Sequence, residues 1–310
     1  MSEKKYLDFE GLKTFKSNMT TYIDDGDSTS SEMTVQLGSG GSIGNYKTGD
    51  IIPEGTTLEA ILKKILMKQI PPTYTSPAVS ISNNGGTAAG NYEYGTIITP
   101  KVKATYNKND GGNLISISIK QGSTTVATGD TSPLTYAASE SISLINSISF
   151  SASCSYDEGT IKDDNLGDPY STGHIAAGTK SSSNYTFNPY RQGYFWGVLD
   201  TDSSVPLTSD IIRNGTKKNG SYSSGSISNI KASTVANRKR IFIACPATNK
   251  GVTKVIMPSA MNADCTVDFV KQSTTITVEG ANSSTGIEYN VWVYEPASIS
   301  DDQTFTVTLG

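Results

Sequence analysis

At 310 residues the chain is about twice the length of a typical single domain, so two or three compact modules are expected rather than one large core. Its hydrophobic fraction of 35% and charged fraction of 17% are low for a globular enzyme; Ser, Thr, Gly, Asn and Tyr fill the difference, a balance that suits twisted sheets joined by many turns. A formal net charge of -4 argues against nucleic acid as a partner, because phosphate counterions are displaced by a basic face.

The first expected element is a short amphipathic helix. Leu12, Phe15, Met19 and Tyr22 recur at spacings of three and four and share one face, Asp8 can act as N-cap, and Leu7 with Leu12 forms a hydrophobic staple. A helix of about four turns with one narrow apolar stripe is marginal alone, and another chain is a candidate partner. Asp24 to Glu32 reads as a linker, after which Val35, Leu37 and a Gly-rich turn lead to Ile51-Ile52-Pro53. In a second helix Thr56 and Glu59 form a capping box. Leu58, Ile61, Leu62, Ile65, Leu66 and Ile70 give it a broad apolar face, and Pro71-Pro72 stops it. That face has two candidate partners, the module's own small sheet or a neighbouring subunit.

From Tyr74 the hydrophobic period changes from helical to twofold. Strands are expected at Ala78–Ile81, Ile97–Tyr106, Leu114–Ile119, Thr124–Ala127 and Ser147–Tyr156, separated by turns such as Asn83-Asn84-Gly85-Gly86 and Asn109-Asp110-Gly111-Gly112. Their number and spacing predict an immunoglobulin-like sandwich, in architecture only, since a Cys-Trp-Cys core is missing. The polar stretch from Gly178 to Ser183 reads as a hinge into a third module with strands at Tyr194–Leu199, Ile241–Ala244, Lys254–Met257, Thr274–Val278, Tyr289–Tyr294 and Phe305–Leu309. The fold expected is therefore mainly β: a short N-terminal helical attachment segment, an Ig-like β-sandwich and a C-terminal β-sandwich. The boundaries fall at 1–33 (helix and linker), 34–73 (a small α+β docking module), 74–180 and 181–310. No stretch reaches the ~18 apolar residues of a membrane-spanning helix, and no signal-peptide pattern opens the chain, so no membrane partner and synthesis in the cytoplasm are expected.

Little in the residues points to chemistry, and no cofactor is expected. The chain has one histidine, His174, which rules out a multi-histidine metal site within it and leaves a Ser-His-Asp triad without a nucleophile-elbow pattern. Cys154, Cys245 and Cys265 are dispersed, so neither a disulfide framework nor a structural zinc site is expected; Cys154 and Cys265 fall in alternating patterns where a thiol acts as a small core hydrophobe. No phosphate-binding Gly-rich loop precedes a helix. Asn18-Met19-Thr20 and Asn184-Tyr185-Thr186 match glycosylation triplets but carry no weight without a secretory signal. Asp157, Glu158, Asp163, Asp164 and Asp168 form the densest acidic stretch, read as a solvated loop, with calcium coordination as a weaker alternative and glycoside hydrolysis weaker still. Arg238-Lys239-Arg240 reads as a solvated strand flank. Tyr190, Tyr194, Trp196, Trp292 and Tyr294 are candidates for stacking on a sugar or host surface, although alternation places Trp196 and Trp292 more simply in the core.

The opening Tyr6-Leu7-Asp8-Phe9-Glu10-Gly11-Leu12 and the more specific run Gly49-Asp50-Ile51-Ile52-Pro53-Glu54-Gly55-Thr56-Thr57-Leu58-Glu59-Ala60-Ile61-Leu62 resemble a family of bacteriophage structural proteins. So does the ending Tyr289-Asn290-Val291-Trp292-Val293-Tyr294-Glu295-Pro296. The similarity is to crAss-like and Clostridium-type phage appendage proteins that carry Ig-like modules; it covers part of the chain, and the middle sandwich matches in style more than in residues. The resemblance implies a virion component of tail, baseplate or head-fibre type, or a capsid decoration. It implies a homo-oligomer, a trimer among the options, with other virion proteins as partners, and supplies no catalytic residues. The single histidine, dispersed cysteines and missing phosphate loop lead to the expectation that the protein is not an enzyme, and on the phage reading Leu12, Phe15, Met19 and Tyr22 form the particle-attachment stripe. The alternative is a receptor-recognition module of the same appendage, binding a host-surface glycan or protein.

Overall fold

The structure is a computed structural model, and it describes residues 28–29, 31–37, 41–218, 225–232, 240–296 and 303–310, with backbone alone at 225–232. The expected first helix, with Leu12, Phe15, Met19 and Tyr22, lies outside the described residues. The chain is mainly β. It divides into two compact units: one takes the described residues up to Pro77 with Asn107–Ile115 and Ser155–Thr179, the other Ala78–Tyr106, Ser116–Cys154 and the described residues from Lys180 onward.

In the first unit, short strands at Met33–Thr34 and Ile51–Ile52 pair antiparallel, and Ser42–Ile43 pairs with Tyr46–Lys47 in a hairpin. The helix Leu58–Leu66 packs on them through Ile61 and Ile65, making a small core with Val35, Tyr46 and Ile52. Its cap differs from the expected one by a residue. The Thr57 hydroxyl accepts from the Ala60 amide at 3.2 Å, while the Thr56 hydroxyl donates to the Pro53 carbonyl at 2.6 Å. Glu59 pairs with Lys63 one turn on, at 2.7 Å. The hairpin turn closes the other end of the helix. Gly44 sits at φ +57°, and a Cβ there would lie 2.2 Å from the Ile65 carbonyl oxygen, so only glycine lets the turn approach so closely. Asn45 then donates through Nδ2 to the carbonyls of Lys64 at 2.9 Å and Met67 at 2.7 Å, satisfying acceptors that a helix end leaves open.

The second unit contains two β-sandwiches. In the first, Ala78–Asn83, Lys101–Asn107 and Leu134–Ala137 form a three-stranded sheet. The opposing sheet runs in the order Thr124–Gly129, Leu114–Gln121, Ile148–Tyr156, Tyr185–Tyr190 and Gly90–Glu93, with the last pair parallel. This is an immunoglobulin-like topology in which the first strand switches sheets. Along Ile148–Tyr156 the residues Phe150, Ala152, Cys154 and Tyr156 are buried and those between them are not, the twofold pattern of a strand with one face on a core. Rings join the sheets at Phe150, which lies 5.8 Å from Tyr136 of the opposing sheet and meets Phe187 of its own sheet edge-on at 6.3 Å. Gly178–Ser181, expected as a hinge, pairs with Ile148–Tyr156, and the Ser182 amide continues the ladder to the Ala152 carbonyl at 2.8 Å. The sandwich thus runs on to Tyr190, past the expected boundary at 180.

The C-terminal sandwich has one sheet in the order Thr216–Lys218, Tyr194–Leu199, Arg240–Pro246, Ile287–Tyr294 and Val270–Lys271, with Ile276–Val278 also on Ile287–Tyr294. The other sheet runs Gly225–Ala232, Gln303–Leu309, Val252–Met257 and Ala263–Asp264. Ile241, Ile243 and Trp292 face Val255, Phe305 and Val307 between the sheets. On the opposite face Phe242, Ala244 and Val291 are covered by Ile212 from a five-residue helix, Ser209–Arg213. Every residue of Arg240–Pro246 is therefore buried, and its continuous apolar run replaces alternation because both faces meet protein. Arg240 departs from the expected solvated flank: it is 3% exposed, and its Nη2 donates to the Val205 carbonyl at 2.8 Å.

Candidate functional site

The helix Leu58–Leu66 carries the feature least explained by its own module. Ile61 is fully buried, yet Leu58, Leu62 and Leu66 are 36%, 42% and 77% exposed, and Met67 and Ile70 are also exposed. The spacing of four puts Leu58, Leu62 and Leu66 in one row, since residues four apart lie above one another on a helix. With Met67 and the stem of Lys63 they line a shallow groove of about 630 Å³. Of the two partners weighed from the sequence, the small sheet takes Ile61 and Ile65, while Leu58, Leu62 and Leu66 stay exposed. Contiguous exposed apolar surface of this kind marks a contact site more often than isolated exposed side chains do.

The residues after this helix are held by a dense polar joint within the same unit. Gln69 Nε2 donates to Asp164 Oδ2 at 2.6 Å, and Lys64 pairs with Asp168 at 2.7 Å. Asn165 accepts from the Ile70 amide at 2.5 Å and donates to the Lys68 carbonyl at 3.0 Å. Further on, Lys162 Nζ meets Asp110 and the Thr73 carbonyl, each at 2.8 Å, and Asp110 accepts from the Thr75 amide at 2.6 Å. The Tyr74 hydroxyl accepts from the Lys162 amide at 2.8 Å and donates to the Tyr170 carbonyl at 2.7 Å. These bonds anchor the spacer of residues 64–75 at 64, 68–70 and 73–75.

The acidic stretch has this structural use. Burial pushes the Asp164 carboxyl up, but hydrogen bonds from Gln69 and from the amides of Asp168, Leu166 and Gly167 outweigh it and hold it below the usual carboxylate range. The hydrogen bond from Lys162, reinforced by the Thr75 amide, lowers Asp110 likewise. Asp157 is exposed at its side chain and holds Gly112 and Asn113 through its backbone; Asp163 is exposed. Glu158 lies 3.4 Å from His174 Nδ1, while His174 Nε2 donates to the Gly159 carbonyl at 2.8 Å. The five acids do not converge, and among the described residues no group of three or more His, Cys, Asp or Glu side chains is placed to hold a metal ion.

The aromatic candidates are placed mostly inward. Trp292 is 8% exposed and stands over Gly251, where φ is +82° and a Cβ would strike the indole at 2.0 Å. Tyr194, Trp196 and Tyr294 pack against the same core, with Tyr294 stacked on Phe269 at 5.2 Å; Tyr190 is half-buried in the first sandwich. Cys154, Cys245 and Cys265 are buried.

A second polar cluster joins the two sandwiches of the second unit. Arg213 Nη1 donates to Glu93 Oε1 at 2.6 Å and to the Glu279 carbonyl at 2.5 Å. The Arg191 guanidinium lies 3.5 Å from the centre of the Tyr94 ring, and the Ala281 amide donates to the Tyr94 carbonyl at 2.7 Å. The buried Tyr289 phenol, its ionisation pushed up by burial, donates to the Gln192 carbonyl at 2.7 Å. Neither joint has a sequence signature, because each consists of polar residues of ordinary type, far apart in the chain. Among the described residues no helix is long and apolar enough to cross a membrane. In comparison with known proteins, no family model, no curated protein and no solved structure matches the chain.

Proposed function

We propose that the protein is a structural, non-enzymatic component of a bacteriophage particle, anchored through its N-terminal region and carrying its β-sandwiches as a fibre, baseplate or capsid-decorating appendage. The observation that carries the reading is the open apolar row Leu58, Leu62 and Leu66, on a helix capped at both ends and continued into a hydrogen-bonded spacer. A small module that leaves such a row uncovered is built to bury it against something else. Of the five clustered acids, Asp164 and Asp168 are taken up in bonds to Gln69 and Lys64, which supports a mechanical role. In sequence, the expected stripe Leu12, Phe15, Met19 and Tyr22, which lies outside the described residues, precedes this module. Deleting residues 1–25 tests the anchor. The shortened chain should fold with an unchanged β spectrum and fail to enter particles, and normal incorporation would overturn the assignment.

A further inference from the structure

The row Leu58, Leu62 and Leu66 reads the same from either end, with three leucines at equal steps of four over about 12 Å of helix. Its two borders differ. On one side Ile61 and Ile65 pack down on the module's own strands, so that side is closed. On the other side, one residue on from Leu58 and Leu62, stand Glu59 and Lys63, which line the groove with the leucines and stay exposed although they pair at 2.7 Å. The open border thus carries an acid toward the helix N-terminus and a base toward its C-terminus.

A surface with that symmetry is complementary to itself in one orientation. Two copies of the helix related by a twofold axis passing between their Leu62 side chains run antiparallel, and Leu58 of each faces Leu66 of the other. The same axis brings the two open borders together. Glu59 of one copy then stands beside Lys63 of the second copy, and the reverse, so that four charges alternate in sign along the leucine contact. The positive helix end of each copy also lies beside the negative end of the other. In a parallel pair the open border of one copy would meet the side closed by the strands, and like helix ends would coincide. The leucines supply the driving force by leaving water, while exposed charges of this kind fix orientation more than affinity.

We propose that the occupant of the Leu58, Leu62 and Leu66 row is a second copy of this chain, held antiparallel across a twofold axis at Leu62. The proposal rests on the reading of the row as a contact surface and names its partner; the appendage is then built from paired chains. Pairing is read on purified protein and incorporation on particles. A monomer that enters particles would refute the pairing alone, and a dimer that never enters them would refute the docking assignment alone.

Sedimentation equilibrium of the full chain, from low micromolar to several hundred micromolar, tests the pairing. The expected result is a reversible equilibrium between monomer and dimer, approaching twice the 32.9 kDa mass of the chain. Leu62→Glu, on the axis at a half-exposed position, should leave the β spectrum unchanged and weaken the dimer by about tenfold or more, because two carboxylates then meet. Leu66→Glu, at the most exposed of the three leucines, gives the same reading if the first variant does not fold. Glu59→Lys and Lys63→Glu should each weaken self-association, since each surrounds the contact with charge of one sign. Mixed in equal amounts, these two variants should associate with one another more tightly than either does with itself. A monomer throughout the range, a trimer, or a dimer that Leu62→Glu leaves intact would overturn the proposal. So would a mixture that associates no better than its components, because the antiparallel charge pattern would then be absent.

Discussion

The helix Leu58–Leu66 and the strand Arg240–Pro246 are both rich in aliphatic side chains, yet the first leaves half of them in water and the second leaves none. The difference lies in the layers around them. The strand has a sheet on one side and the Ile212 helix on the other, whereas the helix has two short strand pairs beneath it and none of the described residues above it. Composition alone does not set exposure. A module of this size has too little chain to enclose a helix on both sides, and the uncovered side becomes the surface through which it can act.

This contrast can be broken by substitution. Phe242→Ala, at a fully buried site, should destabilise the C-terminal sandwich by about 3–5 kcal/mol, read as a lower denaturation midpoint. Arg213→Ala should cost about 3 kcal/mol, because Glu93 keeps a largely buried carboxylate without its partner; adding Glu93→Gln should recover part of that loss. Within the helix, Ile61→Ala should cost the first unit about 2 kcal/mol, while Leu66→Ala should stay within about 0.5 kcal/mol. Equal costs at Ile61 and Leu66 would remove the distinction between the two faces.

The smallest effect is local and depends on pH. Asp110 and Asp164 are held below the ordinary carboxylate range in the folded chain, so their contribution is complete above that range and is lost as pH falls through the lowered values. Amide protection at Thr75 and Leu166, corrected for intrinsic exchange, should therefore fall on the acid side, and Asp110→Asn should flatten the change at Thr75 alone.

The mainly β fold was legible because alternation such as Phe150, Ala152, Cys154 and Tyr156 records a one-sided core directly. The continuous run Ile241–Ala244 was legible as a strand, but the helix that covers it was not, since five residues are too few to show a period. Polar composition suggested a hinge at Gly178–Ser183, where backbone pairing with Ile148–Tyr156 decides the outcome. Thr56 and Thr57 are adjacent candidates for one cap, and the Pro53 carbonyl takes the hydroxyl of the first. The apolar row on the helix could be named from its spacing, but its exposure depends on how much sheet lies beneath. The joint was least legible, because Gln69 and Asp164 are ordinary residues until the fold brings them together.

The central claim is that residues up to about 72 dock this chain onto a phage particle. High-resolution imaging of intact particles that carry it tests this most directly. The account predicts density for the Leu58–Leu66 helix and its spacer against a neighbouring virion protein, with the C-terminal sandwich away from that contact. Particles that lack the chain, or that hold it through the C-terminal sandwich with the N-terminal region in solvent, would contradict it.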